Sequence, residues 1–288
     1  MLQKYAKILL MRFTALSSFL FAFCIQIPVL AQPRDVTVRV DRWLSIQQMS
    51  GTVSFDRPSG SRAARVGDRL ETVGDGVTTG TQSRADLLLD TGVGVVNVLE
   101  YTNLKVQRLE TAPDSGRITH LDVTRGQVRL KLRRFTSPNS ELRIRTPAGL
   151  SGVRGTEFGV VVQPDGKTAI ATLEGAVVTE AQGVQVEVPG GFQTFTIPGE
   201  PPRAAVPLRD DPGLTAEFEK LIDQGLRKVQ LVGRVDPVNV VTVDGVQQIV
   251  DGNGVFRSAA VFARSSLRVR VVVTTPLGKS QNYELAFR

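Results

Sequence analysis

The chain has one cysteine and one histidine, Cys24 and His120, in 288 residues. A two-histidine metal site is therefore excluded, and so is an intrachain disulfide framework. Beyond the first thirty or so residues no stretch is long and apolar enough to span a bilayer as a helix. Helical periodicity is absent from the middle of the chain. Aromatic residues make up only 6%, while hydrophobic residues reach 41% and charged ones 22%, the balance of an ordinary globular protein. The apolar content is mostly valine, leucine and alanine, a bias toward sheet. Charge of one sign is in only mild excess. The formal net charge is +7, but Lys4, Lys7 and Arg12 lie in a leader, leaving about +4 for the rest. That excess does not point to nucleic acid as a partner.

The leader occupies residues 1–31. Its three cations precede an apolar run over 13–29, and Val29-Leu30-Ala31 supplies small residues before a predicted cleavage at Gln32. The rival reading is a retained membrane anchor, because residues 13–33 are uncharged over a length near the minimum for a span. Cys24 follows Phe23 rather than a small residue, which does not suit a lipoprotein signal. Cleavage would leave no membrane span and no cysteine, so stability must come from packed cores.

Residues 32–197 read as many short strands. Val36-Thr37-Val38-Arg39-Val40 alternates apolar and polar positions. Strands are predicted at 86–89, 93–99, 103–109, 117–123, 127–132, 141–146, 157–163, 168–173, 176–179 and 184–188. Turns such as Asp90-Thr91-Gly92 and Gln163-Pro164-Asp165-Gly166 punctuate them. A proline-rich linker opens at 198, and a helix is expected from about Pro212 to Lys228, capped by Asp211, with Leu214, Phe218, Leu221, Ile222 and Leu226 on its apolar face. Residues 229–288 hold six further candidate strands, two of them joined through Asp244-Gly245.

Five segments between residues 66 and 197 carry a likeness. They are Val66-Gly67-Asp68-Arg69-Leu70, Arg84 through Gly92, Leu121 through Val128, Thr146-Pro147-Ala148 followed by Gly152-Val153-Arg154-Gly155-Thr156-Glu157-Phe158, and Thr172-Leu173-Glu174-Gly175-Ala176-Val177. In that order they resemble the FecR-like domain family. Gly190-Gly191-Phe192-Gln193 departs mildly from the family's corresponding turn. The resemblance implies a β-roll or sandwich. Family members that act as anti-sigma regulators place a cytoplasmic sigma-binding segment and a membrane span before this domain. Here a leader runs directly into β structure, so the regulatory role in iron uptake is not expected to carry over. Gly233-Arg234-Val235-Asp236-Pro237 and Asp251-Gly252-Asn253-Gly254-Val255-Phe256 resemble a bacterial Ig-like module.

The residues offer little catalytic chemistry. His120 lies within a strand and has no nucleophile motif to serve. Gly152, Arg154, Gly155, Thr156, Glu157 and Phe158 do not form a phosphate loop, because no lysine follows the second glycine. They read as a structural bend, with Arg154 and Glu157 placed to pair with each other. Asp251, Gly252 and Asn253 resemble the start of a calcium loop, but Phe262 stands where its last ligand would be. Asp86, Asp90, Glu100 and Glu110 show no spacing that pairs them. The most distinctive surface feature is basic. Arg129, Lys131 and Arg133 share one face of a strand and Arg143 and Arg145 one face of another, so pairing of the two would make an anion patch for a glycan or lipid head group.

The expectation is an all-β protein: a FecR-like β-roll or sandwich (32–197), a linker and helix (198–228) and an Ig-like β-sandwich (229–288). It would be periplasmic or secreted, non-enzymatic and without a cofactor. It would act as a binding or scaffolding module on an envelope protein or anionic glycan. An anti-sigma-type regulator of envelope signalling, and a carbohydrate-active enzyme or its accessory module, are the alternatives.

Overall fold

A computed structural model describes residues 42–153, 155–223, 225–262 and 266–287. The leader, the 36–40 stretch and Arg154 lie outside the described residues. The first strands are β1 (Leu44–Ser50), β2 (Val53–Arg57), β3 (Gly60–Ala63), β4 (Arg69–Leu70), β5 (Gly76–Thr79), β6 (Arg84–Leu89), β7 (Gly94–Val98), β8 (Asn103–Thr111) and β9 (Arg117–Leu132). They are followed by β10 (Glu141–Thr146), β11 (Gly149–Val153), β12 (Glu157–Val162), β13 (Thr168–Glu174), β14 (Ala176–Ala181), β15 (Val184–Pro189), β16 (Phe192–Thr196) and β17 (Val206–Pro207). The last eight are β18 (Thr215–Asp223), β19 (Leu226–Arg234), β20 (Val240–Val243), β21 (Val246–Gln248), β22 (Val255–Arg257), β23 (Val261–Phe262), β24 (Leu267–Thr274) and β25 (Ser280–Phe287).

The all-β expectation holds: there is no helix among the described residues. The ten strands predicted from 86 to 188 all appear, with one change. The stretches 117–123 and 127–132 form the single strand β9. Gly126, at φ +89°, is the bend within it, and a Cβ there would lie 2.4 Å from Thr102. The first half of β9 pairs with β8 and β10, and the second half with β7 and β12. One sheet therefore runs β4-β1-β6-β7-β9-β12-β13-β16-β17, and the other runs β3-β2-β5-β8-β9-β10-β11-β14-β15. Period-2 alternation sends Val128, Leu130, Phe158, Val160 and Ile170 from the first sheet into a core shared with Phe55, Leu121, Val123, Leu142 and Ile144 from the second.

The helix expected from Pro212 to Lys228 is not formed. Residues 215–234 make the β18–β19 hairpin, with nine register pairs from Thr215↔Arg234 to Asp223↔Leu226. Ala216 and Phe218 are partly buried, while Glu217 and Glu219 are exposed, a strand period that the leucine spacing obscured. Gly225 at φ +76° makes the turn. Packing of Ala216 and Phe218 on a second core outweighs the helical propensity of the segment.

The C-terminal unit has two four-stranded sheets, β18-β19-β22 with β23 also on β19, and β21-β20-β24-β25. Leu231 and Phe256 of one meet Val241, Val271 and Val273 of the other in that second core. The stretch expected as one strand over 255–262 is split between β22 and β23.

β12 is buried at all six positions, although only one of its faces points into the shared core. The C-terminal unit covers the other face. A Cβ on Gly159 would lie 1.9 Å from the carbonyl oxygen of Pro276. Gly159→Ala is therefore expected to force the two apart at a cost of about 1–3 kcal/mol. Urea unfolding checks this, and an unchanged midpoint would mean the seam is looser than described.

Candidate functional site

The outer face of the first sheet is a set of cross-strand rows. One row runs Gln127, Val161, Ala169, Phe195, and the next runs Arg129, Gly159, Ala171, Gln193. Val161, Ala169 and Val238 form a small apolar patch on this face, with Phe195 and Val240 against it. Three glutamines frame it. Gln127 Nε2 donates to the carbonyls of Thr275 (2.7 Å) and Pro276 (3.0 Å). Gln163 accepts from the Val250 amide at 2.9 Å and donates to the Asn239 carbonyl at 3.3 Å. Gln193 donates to both oxygens of Asp236, each at 3.0 Å.

Lys167 closes the end of the seam. It is 1% exposed, and its ammonium donates to the carbonyls of Pro237 (2.9 Å), Asp251 (3.0 Å) and Val250. Three N–H bonds meet three acceptors, so the cation is matched without a carboxylate bonded to it. Burial pushes its pKa down to about 8, against the opposing pull of Asp165, Asp251 and Asp236. Phe195 lies beneath it, with the ring centroid at 5.2 Å. Lys167 follows the Gln163–Gly166 turn, and no motif in the sequence singles it out. The signal available was the near-continuous apolar run of β12 and β13, which marks strands covered on both faces.

The predicted site residues separate. Glu157 sits on β12 opposite Lys131, and its carboxylate is held by Arg129 and by Lys131 at 2.9 Å. Burial would raise its pKa, but hydrogen bonds from Lys131 and Arg129 outweigh that and hold it below the usual carboxylate range. These two cations are thus already engaged by an anion. Arg143 and Arg145 lie on β10 in the other sheet, paired with the first half of β9 opposite His120 and Asp122. Arg143 binds Glu141 at 2.9 Å, and His120 meets the same carboxyl at 2.7 Å. Arg133 continues the β9 side, where its guanidinium lies near Gly92. The five cations do not form one patch, because β9 changes sheets at Gly126 between the two groups. Of the motif residues, Phe158 enters the shared core, and Gly155 takes φ +97° against Arg134. Gly152 faces open space.

Thr156 and Thr172 bury hydroxyls that have no hydrogen-bond partner among the described residues. Thr172→Val removes that cost at nearly constant volume, and a gain of about 1 kcal/mol is expected in urea denaturation. A loss of similar size would show that the hydroxyl has a partner, such as a bound water.

Two sheets sharing β9, with a further β unit seated on one outer face, define the architecture around this seam. A family model described as FecR protein matches residues 75–178. Comparison with curated protein sequences returns no match. Two crystal structures, each described as a "putative anti-sigma factor" from Parabacteroides distasonis, are similar at 17% and 18% identity. Each alignment covers 45% of this chain and 58% of that one, with a TM-score of 0.38. The family match is narrower than the likeness read from residues 66–197 and omits the Val66–Leu70 and Gly190–Gln193 segments. It corrects the expected function. The expectation of a free-standing binding or scaffolding module rests on a leader in place of the regulator's N-terminal segments, and that region lies outside the described residues. The FecR match favours the signalling alternative.

Proposed function

We propose that the chain is a regulator of envelope signalling of the anti-sigma type, with its β body outside the cytoplasm and acting through an inner-membrane partner. The observation that carries this reading is the FecR match over residues 75–178. In it, the apolar run over 13–33 is retained as an anchor and the chain enters the body at Arg42. Residues 215–287 are read as an Ig-like sandwich whose role is to cover the outer face of β12 and β13. The reading is non-enzymatic. The test is transcript profiling after deletion of the coding sequence, with rescue by the intact chain. A coordinated change in one promoter class, reversed by rescue, is expected. An unchanged profile overturns the reading.

A further inference from the structure

Beside the seam, a cleft of about 350 Å³ opens between the turns that follow β5 and β7 and the sheet formed by β20, β21, β24 and β25. That volume lies near the lower end of small-ligand sites, roughly 300–1,000 Å³. Serine, threonine and glutamine supply most of its lining residues, while carbon atoms, those of Leu99 and Val240 among them, make up more than half of the lining surface. Arg84 has no ion-pair partner among the described residues, and Gln247 makes no side-chain hydrogen bond there. Glu100 uses one carboxylate oxygen on the Gln82 amide, at 2.8 Å, and leaves the other for a ligand.

The wall is held in an unusual backbone geometry. Gln82 (φ +49°) and Tyr101 (φ +56°) are both left-handed and neither is glycine, which costs about 1 kcal/mol each. The Tyr101 hydroxyl accepts from Thr81 at 3.0 Å and donates across the seam to the Gly245 carbonyl. Strain and a cross-seam bond together fix the ring at the cleft, and Gln127, committed to Thr275 and Pro276, closes the base.

We propose that this cleft binds an acidic saccharide. A sugar presents closely spaced hydroxyls and small apolar C–H faces, which suit carboxamides, hydroxyls, one carboxylate and a tyrosine. The unpaired Arg84 guanidinium calls for a carboxylate on that sugar, held by charge-assisted bonds. Because Arg84 and Gln247 lie on opposite walls, the ligand touches both units. The inference does not depend on the regulator reading.

Isothermal titration of the full chain with trigalacturonate at low ionic strength tests it. Saturable one-site binding is expected, with the neutral sugar chitotriose at least about tenfold weaker. Arg84→Gln, at an exposed position, should weaken trigalacturonate by about tenfold or more. Gln247→Trp should abolish binding by filling the cleft from the other wall while leaving the thermal melt unchanged. Absence of binding to the unaltered chain, equal affinity for chitotriose, or binding undiminished in both variants overturns the proposal. The transcript profile plays no part in this result, so either reading can fail alone.

Discussion

Lys167→Met is expected to lower stability by about 2–4 kcal/mol and to loosen the C-terminal unit from the first sheet. Methionine replaces the aliphatic stem but none of the three N–H donors. The Pro237, Val250 and Asp251 carbonyls then lose a partner while remaining covered, and each unsatisfied buried group costs about 1–3 kcal/mol. Two effects keep the total below that sum. Asp251 also accepts from the Gly254 amide, and the ammonium's own desolvation is relieved. The pH dependence separates this account from plain loss of packing. The folded-state pKa of about 8 lies below the ordinary lysine value of 10.5. Between those values the unfolded chain keeps a proton that the folded chain has lost, so Lys167 makes stability rise with pH across that window. Below about pH 8 its penalty is complete and constant. Urea midpoints from pH 7 to 10.5 should show this rise in the unaltered chain and lack it in Lys167→Met. Equal midpoints at pH 7 would mean that the apolar patch around Val161 holds the seam unaided.

Arg42→Met is expected to cost about 3–5 kcal/mol. Arg42 is 6% exposed and binds Asp90 through two nitrogens, at 2.9 and 2.7 Å. It also donates to the carbonyls of Glu110 and Ile118, each at 2.7 Å, and to the Thr119 hydroxyl at 2.8 Å. Its removal strands the buried Asp90 carboxylate, leaving Arg117 at 3.6 Å and the Trp43 amide as its remaining partners. The double change Arg42→Met with Asp90→Asn should recover part of the loss, because no buried charge is then left unpaired. If it recovers nothing, the backbone carbonyls rather than the ion pair set the cost. Urea denaturation of the three variants decides between these outcomes.

Much of this architecture was legible where residues alternate. β6 and β10 show apolar residues at every second position, as does β8 as far as Val106, and their predicted bounds fall within two residues of those observed. Legibility failed where one residue serves two pairings. Gly126 reads as a strand terminator, yet it is a bend within a continuous strand, and it is the first half of that strand, not the half carrying Arg129 and Lys131, that pairs with β10. The 212–228 segment misled because Leu214, Phe218, Leu221 and Leu226 fit a helix as well as a strand, and only pairing with β19 decides between them. The seam was hidden for another reason. Gln127, Gln163, Lys167 and Gln193 are polar residues of a kind expected on a solvated face. Their burial depends on partners in the C-terminal unit at least 43 residues further along the chain, the nearest being Asp236 against Gln193.

The shared strand β9 has a consequence for how the protein acquires its structure. Its 16 residues pair with strands before and after it in the chain, so neither sheet is complete until β9 is in place. Pairings such as β7 with β9 and β9 with β12 join segments far apart in sequence, and such topologies fold in milliseconds to seconds rather than microseconds. The sheets should therefore appear together in one late, cooperative step. A chain stopped before residue 117 would expose the unpaired edges of β7 and β8 and become a target for aggregation or proteolysis.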